Sequence, residues 1–159
     1  MWLRSVAPLA SLLIFLSTFA YGAGVLDKVS GTYKVPAVRC STMEGKGLLT
    51  PCSRETLDCL TIRKESSDTA WIQFSSTQTN GHECSDEGIA KLVDGALRFC
   101  PANPEYGKQC VRIEIGKARL VMTLLGGEGK RDAFCGARAT VKGLSFPRTT
   151  REKADRCYG

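Results

Sequence analysis

The sequence has a single histidine, His82, and few of the patterns that catalysis requires. There is no Gly-x-Ser-x-Gly motif, and no second histidine to pair with a nucleophile or a metal ion. Structural zinc sites use close cysteine pairs or histidine pairs, whereas the closest cysteines here are Cys52 and Cys59. These absences indicate a protein that is not an enzyme, with no catalytic residues, no metal site and no cofactor.

A phosphate-binding loop is also missing. Gly126-Gly127-Glu128-Gly129-Lys130 is similar to one, but Leu124 stands at the first glycine position and Arg131 follows the lysine. The segment also follows a predicted hairpin instead of a strand that leads into a helix. A flexible turn is the simpler interpretation of these glycines.

Long hydrophobic runs are confined to the N-terminus. Val6 to Phe19 is largely apolar, Arg4 precedes it, and Ala20-Tyr21-Gly22 places small residues where a signal peptidase cleaves. No later run approaches the roughly 20 apolar residues of a membrane span. We expect residues 1–22 to be a signal peptide and residues 23–159 to be a single disulfide-rich β domain. That domain would be periplasmic or secreted, with no transmembrane anchor.

Cysteine is abundant, and every cysteine follows the expected signal peptide. An even number of cysteines in an exported chain indicates disulfide bonds. We expect all of them to be oxidised, although the sequence does not choose among the possible pairings. The eight are Cys40, Cys52, Cys59, Cys84, Cys100, Cys110, Cys135 and Cys157.

Basic residues outnumber acidic ones, 22 to 16, and the net charge is +6. The excess is spread along the chain and forms no basic stripe with interleaved aromatic residues, so nucleic acid is not the expected partner. A basic surface favours acidic proteins, lipid head groups or surface polysaccharide. We expect a partner protein with an acidic surface, located at the cell envelope.

Short apolar segments separated by turn residues predict an all-β fold, either a small disulfide-linked β-barrel or a β-sandwich. Asp94-Gly95 predicts a type I′ hairpin turn, and Gly116-Lys117 predicts a type II′ turn. In the segment between the two turns, the alternation of apolar and polar residues predicts that Ile113 and Ile115 are buried and that Arg112 faces outward. Further strands are predicted over residues 31–38, 59–63, 69–75 and 133–142.

Two segments are predicted to differ from this strand pattern. Residues 76–86 are polar and are predicted to form a loop. Thr149-Thr150-Arg151-Glu152 fits a capping box, which predicts a short C-terminal helix that ends near Arg156.

The candidate binding residues are Trp71, His82 and Arg138, which we expect on loops at one end of the framework. Tryptophan and arginine are common at binding hot spots. Arg138 follows Cys135-Gly136, and a glycine in a strand indicates a bulge or a close backbone approach. An ordinary strand arginine and a structural loop histidine are the alternative interpretations of Arg138 and His82.

Three strings resemble a pattern found in small secreted proteins of Gram-negative bacteria. They are Gly81-His82-x-Cys84, Cys135-Gly136-Ala137-Arg138-Ala139 and Gly143-Leu144-Ser145-Phe146. The chain is more weakly similar to periplasmic lysozyme inhibitors of the small β-barrel type, which present a Ser-Gly-x-x-Tyr motif. Here Cys135 and Ala139 occupy the serine and tyrosine positions. In size, export and cysteine content the chain is also similar to periplasmic immunity proteins.

These resemblances and the shortage of catalytic groups imply an exported binding protein. It would inhibit or neutralise a cell-envelope hydrolase or toxin, as lysozyme inhibitors and immunity proteins do. The alternatives are a small secreted hydrolase that acts on envelope carbohydrate or lipid, and a structural envelope protein.

Overall fold

The computed structural model describes residues 23–37, 57–78, 81–102, 107–127, 131–137, 139–153 and 156–157. The predicted signal peptide, Cys40, Cys52 and Arg138 lie outside these residues. The elements are α1 (Ala23–Val29), β1 (Gly31–Pro36), β2 (Leu57–Lys64), β3 (Thr69–Gln78), β4 (His82–Val93), β5 (Ala96–Phe99), β6 (Cys110–Ile115), β7 (Arg119–Leu125), β8 (Ser145–Pro147) and β9 (Arg151–Glu152). Together the strands form one nine-stranded antiparallel sheet that curls into a nearly closed barrel.

The barrel is a meander that its last segment closes. From β1 to β8 each strand pairs with the next one in the chain, and β9 pairs with the free edge of β1. A 3-10 turn, Arg148–Thr150, joins β8 to β9. One bent segment therefore covers the edges of β7 and β1, which removes most of the exposed edge that open sheets present to other chains.

The helix α1 covers one end of the barrel. Leu26 and Val29 are fully buried in the core. The guanidinium groups of Arg148 and Arg151 both donate to the carbonyl of Lys28, at 2.9 and 2.7 Å. Carbonyls in the last turn of a helix lack partners within the helix, so these two arginines fasten the helix to the closing segment.

The opposite end is covered by residues 131–137 and 139–144, which we call the cap. Its Phe134 packs against Phe74 and Phe99 inside the barrel, with 6.1 Å between ring centroids in each pair. Phe99 lies directly against Gly88, where a Cβ atom would come within 2.7 Å of the phenyl ring. The barrel interior is thus filled by side chains, and the cap supplies one of the largest of them.

The two hairpin turns differ in how well the sequence predicts them. Asp94 and Gly95 have φ of 50° and 73°, which confirms the type I′ turn. The type II′ prediction is wrong, because Gly116 is not among the glycines with positive φ and the connection spans residues 116–118. Gly116 is needed for space, since a Cβ atom there would lie 2.8 Å from the carbonyl oxygen of Arg119.

Three other predictions are corrected by long-range contacts. The loop predicted over residues 76–86 is mostly strand, because β3 continues to Gln78 and β4 begins at His82. The strand predicted over residues 133–142 is irregular chain in the cap, with a single β-bridge between Cys84 and Cys135. The predicted C-terminal helix is only the 3-10 turn, because Arg151 and Glu152 pair with β1 instead.

The predicted alternation of buried and outward side chains in β6 is confirmed. Ile113 is fully buried, and Ile115 is partly buried against the core. Arg112 and Glu114 point outward, with about a third and a half of their side chains exposed, at 33% and 55%. The face of β6 predicted to be buried is the correct one.

Three disulfides connect described residues, namely Cys59–Cys157, Cys84–Cys135 and Cys100–Cys110. Disulfides of this kind are typical of proteins that fold outside the reducing cytosol. Within the described ranges, no helix has the length and apolar character needed to cross a membrane.

Tyr33 provides a test of how α1 is attached. Its hydroxyl donates to the carbonyl of Val29 at 2.7 Å, and burial raises its pKa above 10.0, against the opposing effect of Arg151 and Arg148. The folded protein thus holds this proton more tightly than the unfolded chain. The stability that depends on the protonated phenol is present below pH of about 10 and is lost as the pH rises through the folded-state pKa.

We expect Tyr33→Phe to lower the free energy of unfolding by about 1 kcal/mol at neutral pH, because one buried hydrogen bond is lost. The variant should also lose less stability than the wild type between pH 9 and pH 11, since phenylalanine does not titrate. Urea unfolding across this pH range measures both effects. If the free energy of unfolding changed equally with pH in the two proteins, the role assigned to the Tyr33 phenol would be contradicted.

Candidate functional site

The outer surface of β4, β5 and β6 carries three cations in a line across the strands. The register places Lys91 opposite Arg98, and Arg98 opposite Arg112. Their chain neighbours Ala90, Leu97 and Ile113 are fully buried, so alternation directs the three cations outward. We call Lys91, Arg98 and Arg112 the cation row. Adjacent strands lie about 5 Å apart, so the row concentrates three positive charges on one face.

This arrangement opposes the stability of the sheet. Like charges directly opposite each other on neighbouring strands repel. Arg112 has a partial partner in Glu114, with 3.8 Å between Nε and Oε1, but such an exposed pair contributes little. Within the described part of the chain, neither Lys91 nor Arg98 forms a salt bridge. The charge of the row is therefore open to a binding partner.

An aromatic and apolar strip lies beside the cation row. Arg63 is in register with Trp71, which is in register with Ile89, two residues from Lys91 on β4. The guanidinium carbon of Arg63 lies 4.6 Å from the centroid of the Trp71 ring, which is a cation–π contact. Ile89 is 53% exposed and adds an apolar side chain to this strip. The strip of Arg63, Trp71 and Ile89 and the cation row together form what we call the cationic face.

Of the two predicted binding residues that the structure describes, Trp71 lies on the cationic face and His82 does not. Trp71 belongs to β3, in agreement with the strand predicted over residues 69–75, and does not lie on a loop at the end of the framework. His82 begins β4, seven residues before Ile89, so it is on the order of 20 Å away along the strand. The structure therefore does not bring Trp71 and His82 together, and Arg138 is outside the described residues.

His82 takes part in attaching the cap. It is half-buried, and a Cβ atom on Gly136 would come within 2.9 Å of its Nδ1 atom. The amide of Gly136 donates to the carbonyl of Glu83 at 2.8 Å. The close backbone approach predicted at Gly136 is confirmed, and a Cβ atom at this position would require the His82 ring to shift.

Buried polar side chains hold the rest of the cap. Gln78 donates to the carbonyl of Thr140 at 2.9 Å and accepts from its amide at 3.2 Å. Gln109 does the same for two residues, donating to the carbonyl of Arg131 at 2.9 Å and accepting from the amide of Ala133 at 2.8 Å. These paired bonds replace the β-ladder that the sequence pattern predicts for this segment.

A pocket of about 500 Å³ lies between the cap and the end of β7. It brings together the two loops that the sequence singles out, because Gly126 and Gly127 line one side and Ala137 and Ala139 line the other. Arg131 and Lys142 add positive charge to the lining.

The cation row is the feature that the sequence analysis misses. Its members are far apart in the chain, and the even spread of charge conceals them. The turn at Asp94-Gly95 does contain a signal, because a two-residue hairpin turn fixes the register. Counting back from that turn pairs Lys91 with Arg98. The third member, Arg112, depends on the register between β5 and β6, which a long connection leaves open.

The described residues include no group of three or more histidine, cysteine, aspartate or glutamate side chains that could hold a metal ion. Comparison of the chain with protein-family models, with curated proteins and with solved structures finds no match.

Proposed function

We propose that this chain is an exported binding protein that neutralises a cell-envelope hydrolase or toxin through its cationic face. The observation that carries the proposal is the line of three outward cations beside the partly exposed Trp71 and the exposed Ile89. Its partner is a protein with an acidic surface, and the chain performs no chemistry on it. The protein acts in the periplasm or after secretion, following removal of a signal peptide.

The energetics of the cationic face support binding. Repulsion among Lys91, Arg98 and Arg112 is relieved when carboxylates approach, so an acidic partner gains more from this surface than from scattered cations. Trp71 and the arginines are the residue types that contribute most at interfaces. The face lies on paired strands of a disulfide-linked barrel, so little conformational entropy is lost on binding.

The inhibitor-like resemblance fits this proposal in function but not in the contact used. Cys135, at the serine position of the lysozyme-inhibitor motif, is bonded to Cys84. Ala139, at the tyrosine position, is 8% exposed. These positions support the cap in this chain. The contact with the target is therefore assigned to the cationic face.

The experiment compares two variants of equal net charge. One replaces the cation row (Lys91→Gln, Arg98→Gln, Arg112→Gln), and its control replaces the exposed Lys28, Lys117 and Lys153 with glutamine. The mature protein first captures a partner from envelope and culture extracts, and affinities for the purified partner are then measured at low and high salt. We expect wild-type binding below about 10 μM, roughly −7 kcal/mol, which weakens as salt rises.

The row variant should bind at least about thirtyfold more weakly, the equivalent of roughly 2 kcal/mol, and should lose most of the salt dependence. The control variant should bind like the wild type, and Trp71→Ala should weaken binding about tenfold. Equal losses in the two charge variants would show that only net charge matters. Absence of any partner at either salt concentration, or hydrolytic turnover by the purified protein, would also refute the proposal.

A further inference from the structure

The pocket beside the cap has the size and lining of a small-ligand site. Its volume of about 500 Å³ lies within the roughly 300–1,000 Å³ of typical ligand pockets. Most small-molecule pockets are largely apolar, whereas Leu124 is the one large apolar side chain among the described residues that line this pocket. The lining mixes apolar groups with charged and hydroxyl groups, which suits a ligand that carries polar groups on a carbon framework.

The charge of the lining favours an anion. Arg131 and Lys142 are both exposed to solvent at the pocket. The opposing carboxylate, Asp132, is buried and accepts hydrogen bonds from the amides of Phe134 and Val141 and from the hydroxyl of Thr140. These three bonds hold Asp132 within the cap, so the described lining carries two exposed positive charges and one buried negative charge.

Hydroxyl groups add a second kind of contact. Thr123 lines the pocket, and its hydroxyl donates a long hydrogen bond of 3.4 Å to the carbonyl of Arg112. Thr123 is also in register with Arg112, so the cation row leads to the mouth of the pocket. The small side chain of Ala137 leaves space on the opposite wall.

We infer that this pocket binds a small acidic sugar, with a carboxylate or phosphate group held by Arg131 and Lys142. The sugar hydroxyls exchange hydrogen bonds with Thr123 and with backbone groups of the cap. The cation row raises the local concentration of such anions through its long-range field. The pocket binds this ligand whether or not the cationic face binds a protein.

The test measures binding of glucuronic acid and glucose 6-phosphate to the mature protein by calorimetry and by NMR titration. Glucose is the neutral control, and inorganic phosphate is the anion without hydroxyl groups on carbon. We expect at least one acidic sugar to bind at least tenfold more tightly than glucose and than phosphate. The one that binds identifies the preferred oxyanion.

Variants locate the site. Arg131→Gln and Lys142→Gln should each weaken binding at least fivefold, and Ala137→Trp should abolish it by filling the pocket. Lys117→Gln removes an equally exposed cation from a turn at the other end of the barrel and should change nothing. The row variant keeps the pocket lining, so it should retain most of the binding at high salt, which separates this site from the cationic face.

Four results would overturn the inference. The first is that neither acidic sugar binds at about 10 mM, which corresponds to a binding free energy weaker than roughly 3 kcal/mol. The second and third are that glucose or inorganic phosphate binds as tightly as the acidic sugars. The fourth is that Ala137→Trp binds the acidic sugar as tightly as the wild type. Thermal unfolding of each variant shows whether a loss of binding reflects the pocket or a loss of the fold. If Ala137→Trp does not fold, the Arg131→Gln and Lys142→Gln variants decide the outcome.

Discussion

Replacing Cys59 and Cys157 together with alanine should lower the free energy of unfolding by about 4–5 kcal/mol. This disulfide joins residues 98 positions apart, and a bond that closes a long loop removes the most entropy from the unfolded chain. It also fixes the C-terminal residues over β1 and β2, where Thr32 and Thr61 are buried and share a hydrogen bond of 2.9 Å. Denaturant unfolding under non-reducing conditions measures the loss.

The disulfide Cys100–Cys110 is the matched control. It spans only 10 positions, so its replacement by alanines should lower the free energy of unfolding by about 2–3 kcal/mol. The difference between the two double variants tests the loop-closure explanation, because both remove one bond and two sulfur atoms. An equal loss in both variants would show that local packing, not the length of the closed loop, determines the contribution.

Asp132→Ala should lower the free energy of unfolding by about 3–5 kcal/mol, since each buried donor left without an acceptor contributes roughly 1–3 kcal/mol. Asp132 is 6% exposed, and its two oxygens accept from Phe134 N, Thr140 Oγ1 and Val141 N at 2.8–3.0 Å. The cap should consequently open more easily, and its amides should exchange faster with solvent. Hydrogen exchange together with denaturant unfolding detects both changes.

Two further variants sharpen this prediction. Asp132→Asn retains one acceptor oxygen and should show an intermediate loss. Asp27→Ala removes an exposed carboxylate that pairs with Lys64, and should change the stability by less than about 1 kcal/mol. If Asp132→Ala is as stable as Asp27→Ala, the cap is held mainly by Gln78, Gln109 and the Cys84–Cys135 disulfide.

Local sequence determines several parts of this protein by itself. Asp94-Gly95 specifies a type I′ turn because its residues tolerate positive φ, and strand twist favours that turn in a two-residue hairpin. Alternation from Val111 to Ile115 specifies which face of β6 is buried, because side chains on a strand repeat every second residue. These features need no knowledge of the rest of the chain. The all-β class follows from the same short-range signals.

Tertiary structure alone decides the cap and the closing of the barrel. Apolar residues in residues 133–142 predict a strand, yet Gln78, Gln109 and Asp132 bind the backbone of this segment and hold it in irregular form. The capping box at Thr149 is overridden because pairing with β1 satisfies the backbone of Arg151 and Glu152. A few local hydrogen bonds do not outweigh closure of the sheet edge.

The candidate site residues also differ in whether local sequence or only the tertiary structure reveals them. Trp71 is a candidate from the sequence, because tryptophan is a residue type that is common at binding hot spots. The cation row and the pocket depend on register between strands and on where the cap packs, and these bring together residues far apart in the chain. The sequence by itself determines a cysteine-rich β chain with a basic excess. Only the folded barrel gathers that charge onto one face, because cross-strand neighbours are set by long-range pairing and not by local composition.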